Sequence, residues 1–106
     1  MDERWSIDKL DGNNWSTWKF QLKHMLLAKG LWGLIDGSEI LESGAKEERR
    51  AEFRQKSQRA FSTIVMSMSS SQLYLITSTE EPKAAWDALR KHFERETLAN
   101  KLFLKK

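Results

Sequence analysis

Residues 14–32 read NWSTWKFQLKHMLLAKGLW, and this stretch predicts the first helix of the fold. Asn13 or Asn14 can cap its start with a side-chain carbonyl, and Gly30 can end it in a left-handed turn. At about 100° per residue, one face of the helix collects two indoles and three aliphatic side chains. That face is predicted to be buried, and its members are Trp15, Trp18, Leu22, Met25 and Leu26.

A second apolar strip lies on the opposite side of the same helix. Phe20 and Leu27 fall there one above the other, and Leu31 lies just beyond the predicted helix end. A helix at the surface of a domain needs only one apolar face. Either this helix packs on both sides within one chain, or Phe20 and Leu27 form a contact between subunits. The sequence leaves both interpretations open.

The composition limits the chain to one small domain. It has 106 residues, five tryptophans that can bury a large apolar area, and no cysteine. Disulfides and Cys-ligated metals are therefore excluded, and the absence of cysteine fits a reducing interior, so we expect an intracellular, cytoplasmic protein. No apolar run reaches the ~20 residues of a membrane span, and the N-terminus lacks the apolar core of a signal peptide. We expect no membrane partner.

The rest of the chain also follows helical periodicity, which predicts an all-α bundle of about five helices without a sheet. Residues 31–35 are predicted to form a short buried turn or helix, and further helices are predicted over residues 45–68, 72–76 and 82–93. Thr97 is predicted to cap a separate last helix over residues 98–106. The predicted core residues of these helices are Phe53, Phe61, Ile64, Trp86, Leu89 and Phe93.

The last predicted helix stops without a C-cap, so we expect the chain to be the front part of a longer domain. Residues 1–13 are predicted to be an extended N-terminal segment, and residues 14–106 an incomplete helical domain. The missing helices would leave some apolar side chains of the last helix bare. These side chains are further candidates for a contact surface: Leu98, Leu102 and Phe103.

The net charge of +3 is concentrated at the C-terminal end of the chain. From residue 91 onward five cations stand against two carboxylates, so the rest of the chain is electrically balanced. A local excess of cations can bind nucleic acid, but cations also favour the dipole at a helix C-terminus. The candidate nucleic-acid residues are Lys91, Arg95, Lys101, Lys105 and Lys106.

Few residues of the chain could perform chemistry. The only histidines are His24 and His92, and neither has metal-binding or catalytic partners at a suitable spacing. Glu80 and Glu81 are adjacent, so they would point apart on a helix and could not act as a pair. Neither a P-loop nor a dinucleotide-binding pattern occurs. We therefore expect no enzyme activity, no metal, no cofactor and no small-molecule substrate.

Two groups of motifs follow one another along the chain. The first is KLDGNNWSTWKF at residues 9–20, followed by LWGLIDG at residues 31–37. The second is LYLI at 73–76, AWDAL at 85–89, FER at 93–95 and TLANKL at 97–102. In this order and spacing the motifs resemble the Gag polyprotein of copia-type LTR retrotransposons, from about residue 9 to the end. Trp15 stands where many members carry tyrosine.

The resemblance implies an all-helical module of the capsid type, without catalytic residues, whose family members assemble into particles around element RNA. In full-length members further capsid helices, a Cys/His zinc knuckle and the enzymes follow, and this sequence contains none of those parts. We therefore expect a non-enzymatic assembly module that contacts its own copies or related Gag proteins. The alternative is a module that binds RNA through the basic C-terminal residues.

Overall fold

The computed structural model describes the backbone of residues 6–104 and the side chains of residues 6–95. Within this range the chain is all-α, as the sequence predicts, with four α-helices and one 3₁₀ helix and without a sheet. The helices are α1 (Trp15–Ala28), α2 (Gly33–Asp36), α3 (Glu47–Met66), the 3₁₀ helix (Ser70–Leu75) and α4 (Pro82–Leu104).

The C-terminal end of α1 follows the prediction, because Gly30 adopts the left-handed conformation with φ at 73°. Its N–H donates to the carbonyl of Leu27 at 3.0 Å, and the N–H of Leu31 donates to the carbonyl of Leu26 at 2.8 Å. These two hydrogen bonds form a Schellman motif, which satisfies carbonyls that the helix leaves unpaired. The motif turns the chain so that Leu31 enters the core.

The start of α1 differs from the prediction. Asn14 stands at the capping position, but its side chain makes no hydrogen bond to the first turn of the helix. The side chain instead holds the preceding loop: Oδ1 accepts from the N–H of Asp11 at 3.0 Å, and Nδ2 donates to the carbonyl of Lys9 at 2.9 Å. Asn14 therefore stabilises the turn around Gly12, because a short amide side chain competes well for nearby backbone groups.

Leu10 links residues 6–13 to the end of α3 by backbone hydrogen bonds, and its side chain is fully buried. The N–H of Leu10 donates to the carbonyl of Ser67, and its carbonyl accepts from the N–H of Ser69, each at 3.0 Å. The indole Nε1 of Trp18 donates to the same Ser67 carbonyl at 2.7 Å. One carbonyl oxygen therefore joins the N-terminal segment, α1 and the end of α3.

Aromatic rings join α1 to α4 in the interior. Trp15 stacks on Phe93 with ring centroids 5.1 Å apart, and Trp18 stacks on Trp86 at 6.2 Å. Trp32 meets Trp86 edge-on at 5.2 Å. Offset-stacked and edge-to-face pairs of this kind stabilise a core beyond the apolar area that they bury. The indoles of α1 and α4 therefore serve the packing of the core.

Predicted boundaries of α3 and α4 are wrong. α3 is two residues shorter at each end than predicted, and Met68 forms an isolated bridge with Leu10 instead of a last helical turn. The predicted interruption at Thr97 is absent, because α4 continues from Pro82 to Leu104. The sequence from residue 83 to 104 contains neither glycine nor proline, so no local signal forces the helix to end.

Candidate functional site

Nine of the eleven residues predicted for the core are buried between α1, α3 and α4, and these are Trp15, Trp18, Leu22, Met25, Leu26, Ile64, Trp86, Leu89 and Phe93. Phe53 and Phe61 are only half-buried and pack against the edge of this cluster. α3 meets the core closely through Ala60, whose small side chain is fully buried. Phe53 lies outside that contact, where the guanidinium of Arg49 covers its ring at 5.6 Å.

The outer strip of α1, which we define as Phe20, His24 and Leu27, faces away from the core. Phe20 is 66% exposed and Leu27 is 46% exposed. The imidazole of His24 lies 4.7 Å from the ring of Phe20, between centroids. A shallow apolar groove runs beside the strip, where Ile7 and Met25 contribute to its wall. Within the part of the chain that the structure describes, Phe20 and Leu27 are therefore exposed and only the opposite face of α1 is buried.

Two lysines of α1 flank the outer strip, and each contacts a residue of its own domain. Lys19 Nζ lies 2.7 Å from a carboxylate oxygen of Glu94 on α4. Lys23 Nζ lies over the ring of Trp32, 5.3 Å from its centroid. α1 contains no carboxylate of its own. The strip is therefore an apolar surface whose neighbouring charges are directed toward groups of the same chain.

Of the residues predicted to bind nucleic acid, Lys91 and Arg95 lie exposed on α4, one helical turn apart. The side chains of Lys101, Lys105 and Lys106 lie outside the described residues. The same holds for the side chains of the remaining candidate contact residues, Leu98, Leu102 and Phe103. The structure thus brings Phe20 and Leu27 together on one surface and places two cations of the C-terminal group on another.

The structure also contains a cleft that sequence reasoning missed. Its volume is ≈ 530 Å³, and its walls come from the N-terminal segment, the end of α1 and the second half of α3. Lys9, Lys29 and Arg59 line it, and no carboxylate is among the lining residues that the structure describes. These three cations are separated by 20 to 50 positions in the sequence, so no local motif could reveal them.

Two carboxyl groups among the described residues have a pKa below the ordinary value. The backbone N–H of Ser38, at 2.9 Å from Asp36 Oδ1, lowers the pKa of that carboxyl below its ordinary value. The backbone N–H of Glu42 itself, and then the nearby Arg49, lower the pKa of Glu42. Both shifts move the pKa away from neutrality, whereas a general acid or base needs a pKa near the working pH. No cluster of potential metal ligands occurs in the described part of the chain.

Comparisons with known proteins give a consistent result. The family described as "gag-polypeptide of LTR copia-type" matches residues 22–106. The chain is 28% identical over 104 residues to the protein named "Retrovirus-related Pol polyprotein from transposon TNT 1-94" of Nicotiana tabacum. This match covers 97% of the chain but spans only 8% of that relative's length. No solved structure matches the chain.

The family match begins inside α1, so it includes α2, α3, the 3₁₀ helix and α4 in full. Among the helices that the structure describes, none has both the length and the apolar content to cross a membrane. The motifs, the all-α architecture and the match over most of the chain lead to one conclusion: the chain belongs to the gag-polypeptide family of copia-type LTR elements.

Proposed function

We propose that this domain is an assembly module of the capsid type, and that its copies associate through the outer strip of α1. Membership in the Gag family supports a structural, non-enzymatic role of this kind. The single observation that carries the proposal is the exposure of Phe20 and Leu27 on a helix whose opposite face is already buried.

The hydrophobic effect favours covering this strip. Phe20 and Leu27 lie two helical turns apart on the exposed side of α1 with His24 between them, and the groove at Phe20 and His24 adds further apolar surface. Burying such a surface contributes about 25 cal/mol per Å² of apolar area. Scattered apolar residues on a surface need no explanation, but a contiguous apolar patch is typical of an interaction site.

A second copy of the same strip fits this surface. If two α1 helices pair antiparallel about a two-fold axis, Phe20 of one copy meets Leu27 of the other, and His24 lies near the axis. Lys19 and Lys23 do not oppose this approach, because Lys19 pairs with Glu94 and Lys23 lies over the ring of Trp32 in the same domain. The antiparallel arrangement also places the positive end of each helix dipole near the negative end of the other.

A contact made by one helix per copy is expected to be weak. It buries less than the roughly 1,200 Å² at the low end of specific, stable interfaces. In an assembly of many copies, however, each additional contact forms at a high effective concentration, so weak contacts can add up to a stable particle. Association of the isolated domain is therefore expected only at about 0.1 to 1 mM protein.

Sedimentation velocity over a concentration series tests this proposal, using the wild type and the variant Phe20→Asp/Leu27→Asp. A matched control is Ile40→Asp/Tyr74→Asp, which changes two side chains of similar exposure on other surfaces, 68% and 65% respectively. We expect the control and the wild type to associate alike and the strip variant to stay monomeric, with the helical circular dichroism of all three unchanged. Association of the strip variant at the wild-type level would refute the proposal, as would equal loss in the control.

A second candidate function is RNA binding through α4, because Lys91 and Arg95 are exposed one turn apart on one side of the helix. Each phosphate contact releases counterions, so the affinity for RNA would fall steeply as salt rises. Titration of a single-stranded RNA into the wild type and into Lys91→Gln/Arg95→Gln, at two salt concentrations, tests this candidate. It predicts a shallower salt dependence for the variant, and absence of binding by the wild type at low salt would exclude it.

A further inference from the structure

We infer that the contact between copies extends from the outer strip of α1, across the N-terminal segment, to Met66 at the end of α3. The extension rests on the proposed function, because it adds a further part to the same contact surface and has the same partner, a second copy of this chain. It follows from the cavities beside the strip, from the area that an interface needs and from two-fold symmetry.

The two flanks of the outer strip differ in chemistry. At about 100° per residue, Lys19 and Lys23 fall on one flank, and Met25 and Ala28 fall on the other. On the second flank lies a groove of ≈ 330 Å³, whose wall is completed by Ile7 of the N-terminal segment. Apolar surface therefore continues from the strip toward the N-terminal segment.

The groove adjoins the cleft between the N-terminal segment, α1 and α3, because Ile7 and Met25 line both cavities. Met66 also lines the cleft, and its side chain is 72% exposed, more than that of Phe20. Methionine is unbranched and polarizable, so it adapts its shape to an irregular apolar surface. Lys9 and Arg59 of the same cleft are exposed, so their charged ends can stay in water while their methylene stems join an apolar contact.

The outer strip is too small to form an interface by itself. A protein–protein interface of standard size buries about 800 Å² per partner and takes about 20 to 30 residues from each side. The strip supplies three residues, so even a contact at the low end of the size range needs neighbouring surface. Ile7 and Met66 supply apolar surface that reaches the strip through the groove and the cleft.

Two-fold symmetry determines which flanks of the two copies meet. In an antiparallel pair of α1 helices the axis lies between the helices and perpendicular to both, so each flank of the strip faces the same flank of the partner. The groove lies beside His24, close to the proposed axis. The apolar flanks of the two copies therefore cover each other, and their N-terminal segments and the ends of their α3 helices meet near the axis.

Methionine methyl signals in NMR spectra of the ¹³C-labelled wild type test this extension without a substitution. The Met66 signal reports on the added surface, and the Met68 signal serves as an internal reference because that side chain is only 3% exposed. We expect the Met66 signal to shift as the protein concentration rises from about 0.01 to 1 mM, the range in which a weak contact forms. The Met68 signal should stay in place.

The variant Met66→Asp provides the second test, with Ile40→Asp as the matched control because Ile40 is 68% exposed on another surface. A carboxylate at position 66 would have to leave water when the copies associate, which is unfavourable without a partner. We therefore expect sedimentation velocity to show association about tenfold or more weaker for Met66→Asp and unchanged for Ile40→Asp. Both side chains are exposed, so both variants should keep the helical circular dichroism of the wild type.

The outcomes separate this extension from the proposed function. If Phe20→Asp/Leu27→Asp stays monomeric while Met66→Asp associates like the wild type, the extension is overturned and the proposed function stands. If Phe20→Asp/Leu27→Asp associates like the wild type, or the wild type stays monomeric up to about 1 mM, both are overturned. A Met66 signal that ignores concentration but moves in Trp5→Ala would assign this surface to the N-terminal residues of the same chain and overturn the extension alone.

Discussion

The Ser67 carbonyl shows how a single atom organises this small domain. It accepts the indole N–H of Trp18 and the backbone N–H of Leu10, from two segments remote from it in sequence. Burying an indole is favourable only if its N–H finds a partner. The hydrogen bond therefore lets a 1% exposed tryptophan lie at the centre of the core.

This hydrogen bond should contribute measurably to stability. Trp18→Phe removes the donor and part of the ring, whereas Trp86→Phe removes a similar volume from an indole that packs by ring contacts. Each truncation should lower the free energy of unfolding by about 2 to 4 kcal/mol, and Trp18→Phe by about 1 kcal/mol more. Urea unfolding of both variants measures the difference. A greater loss for Trp86→Phe would contradict the role assigned to the Ser67 carbonyl.

At this scale the sequence predicted the position of Trp18 on the inner face but not its hydrogen bond. Helical spacing shows which side chains share a face, because neighbours on a helix lie three or four positions apart. The partner of the indole lies 49 positions further along the chain, and only the packing of α1 on α3 brings it near. Asn14 was wrongly predicted as a cap for a related reason, since its amide had other backbone partners within reach.

At the scale of elements, the end of α1 determines the path of the chain into α2. The left-handed conformation of Gly30 directs Leu31 into the core and places Trp32 against Trp86. A left-handed residue with a side chain is strained even where space is free. A Cβ at Gly30 would have no neighbour within 4 Å, so the effect of a substitution there reports on the backbone alone.

Gly30→Ala is therefore expected to lower the free energy of unfolding by about 1 kcal/mol, or somewhat more. Gly44→Ala is the matched control, because a Cβ there also meets nothing within 4 Å and its φ is not in the left-handed region. The control should leave stability unchanged or raise it by up to about 1 kcal/mol. Thermal unfolding measures the stability of both variants. An equal change in stability would contradict the Schellman motif assigned to the end of α1.

The length of α4 was the main error among the elements. Thr97 resembles an N-cap in the sequence, and threonine is favoured at such positions. A cap starts a helix only where the preceding residues leave the helical conformation, and residues 83–96 contain no helix breaker. The existence and type of the long helices could therefore be predicted from periodicity. The predicted boundary at Thr97 could not, because the capping signal of one threonine is weak and the preceding residues continue the helix.

At the scale of the whole molecule, the outer strip of α1 and the cleft lined by Lys9, Lys29 and Arg59 differ in how far the sequence could predict them. The strip was predictable because its members belong to one helix. The cleft was not, because three segments supply its cations and only their tertiary arrangement creates it. In the described part of this Gag domain α1 buries only one face, and we propose that its other face contacts neighbouring copies.

The most direct test of this account is disulfide trapping between copies, which the absence of native cysteine makes possible. His24→Cys places one thiol near the proposed two-fold axis, and Tyr74→Cys places one at an exposed control site on the 3₁₀ helix. Disulfides form only between Cα atoms about 4.4 to 6.8 Å apart. We predict that oxidation gives covalent dimers of the His24→Cys variant much faster than of the Tyr74→Cys variant. Equal rates, or faster trapping at position 74, would contradict association through the outer strip of α1.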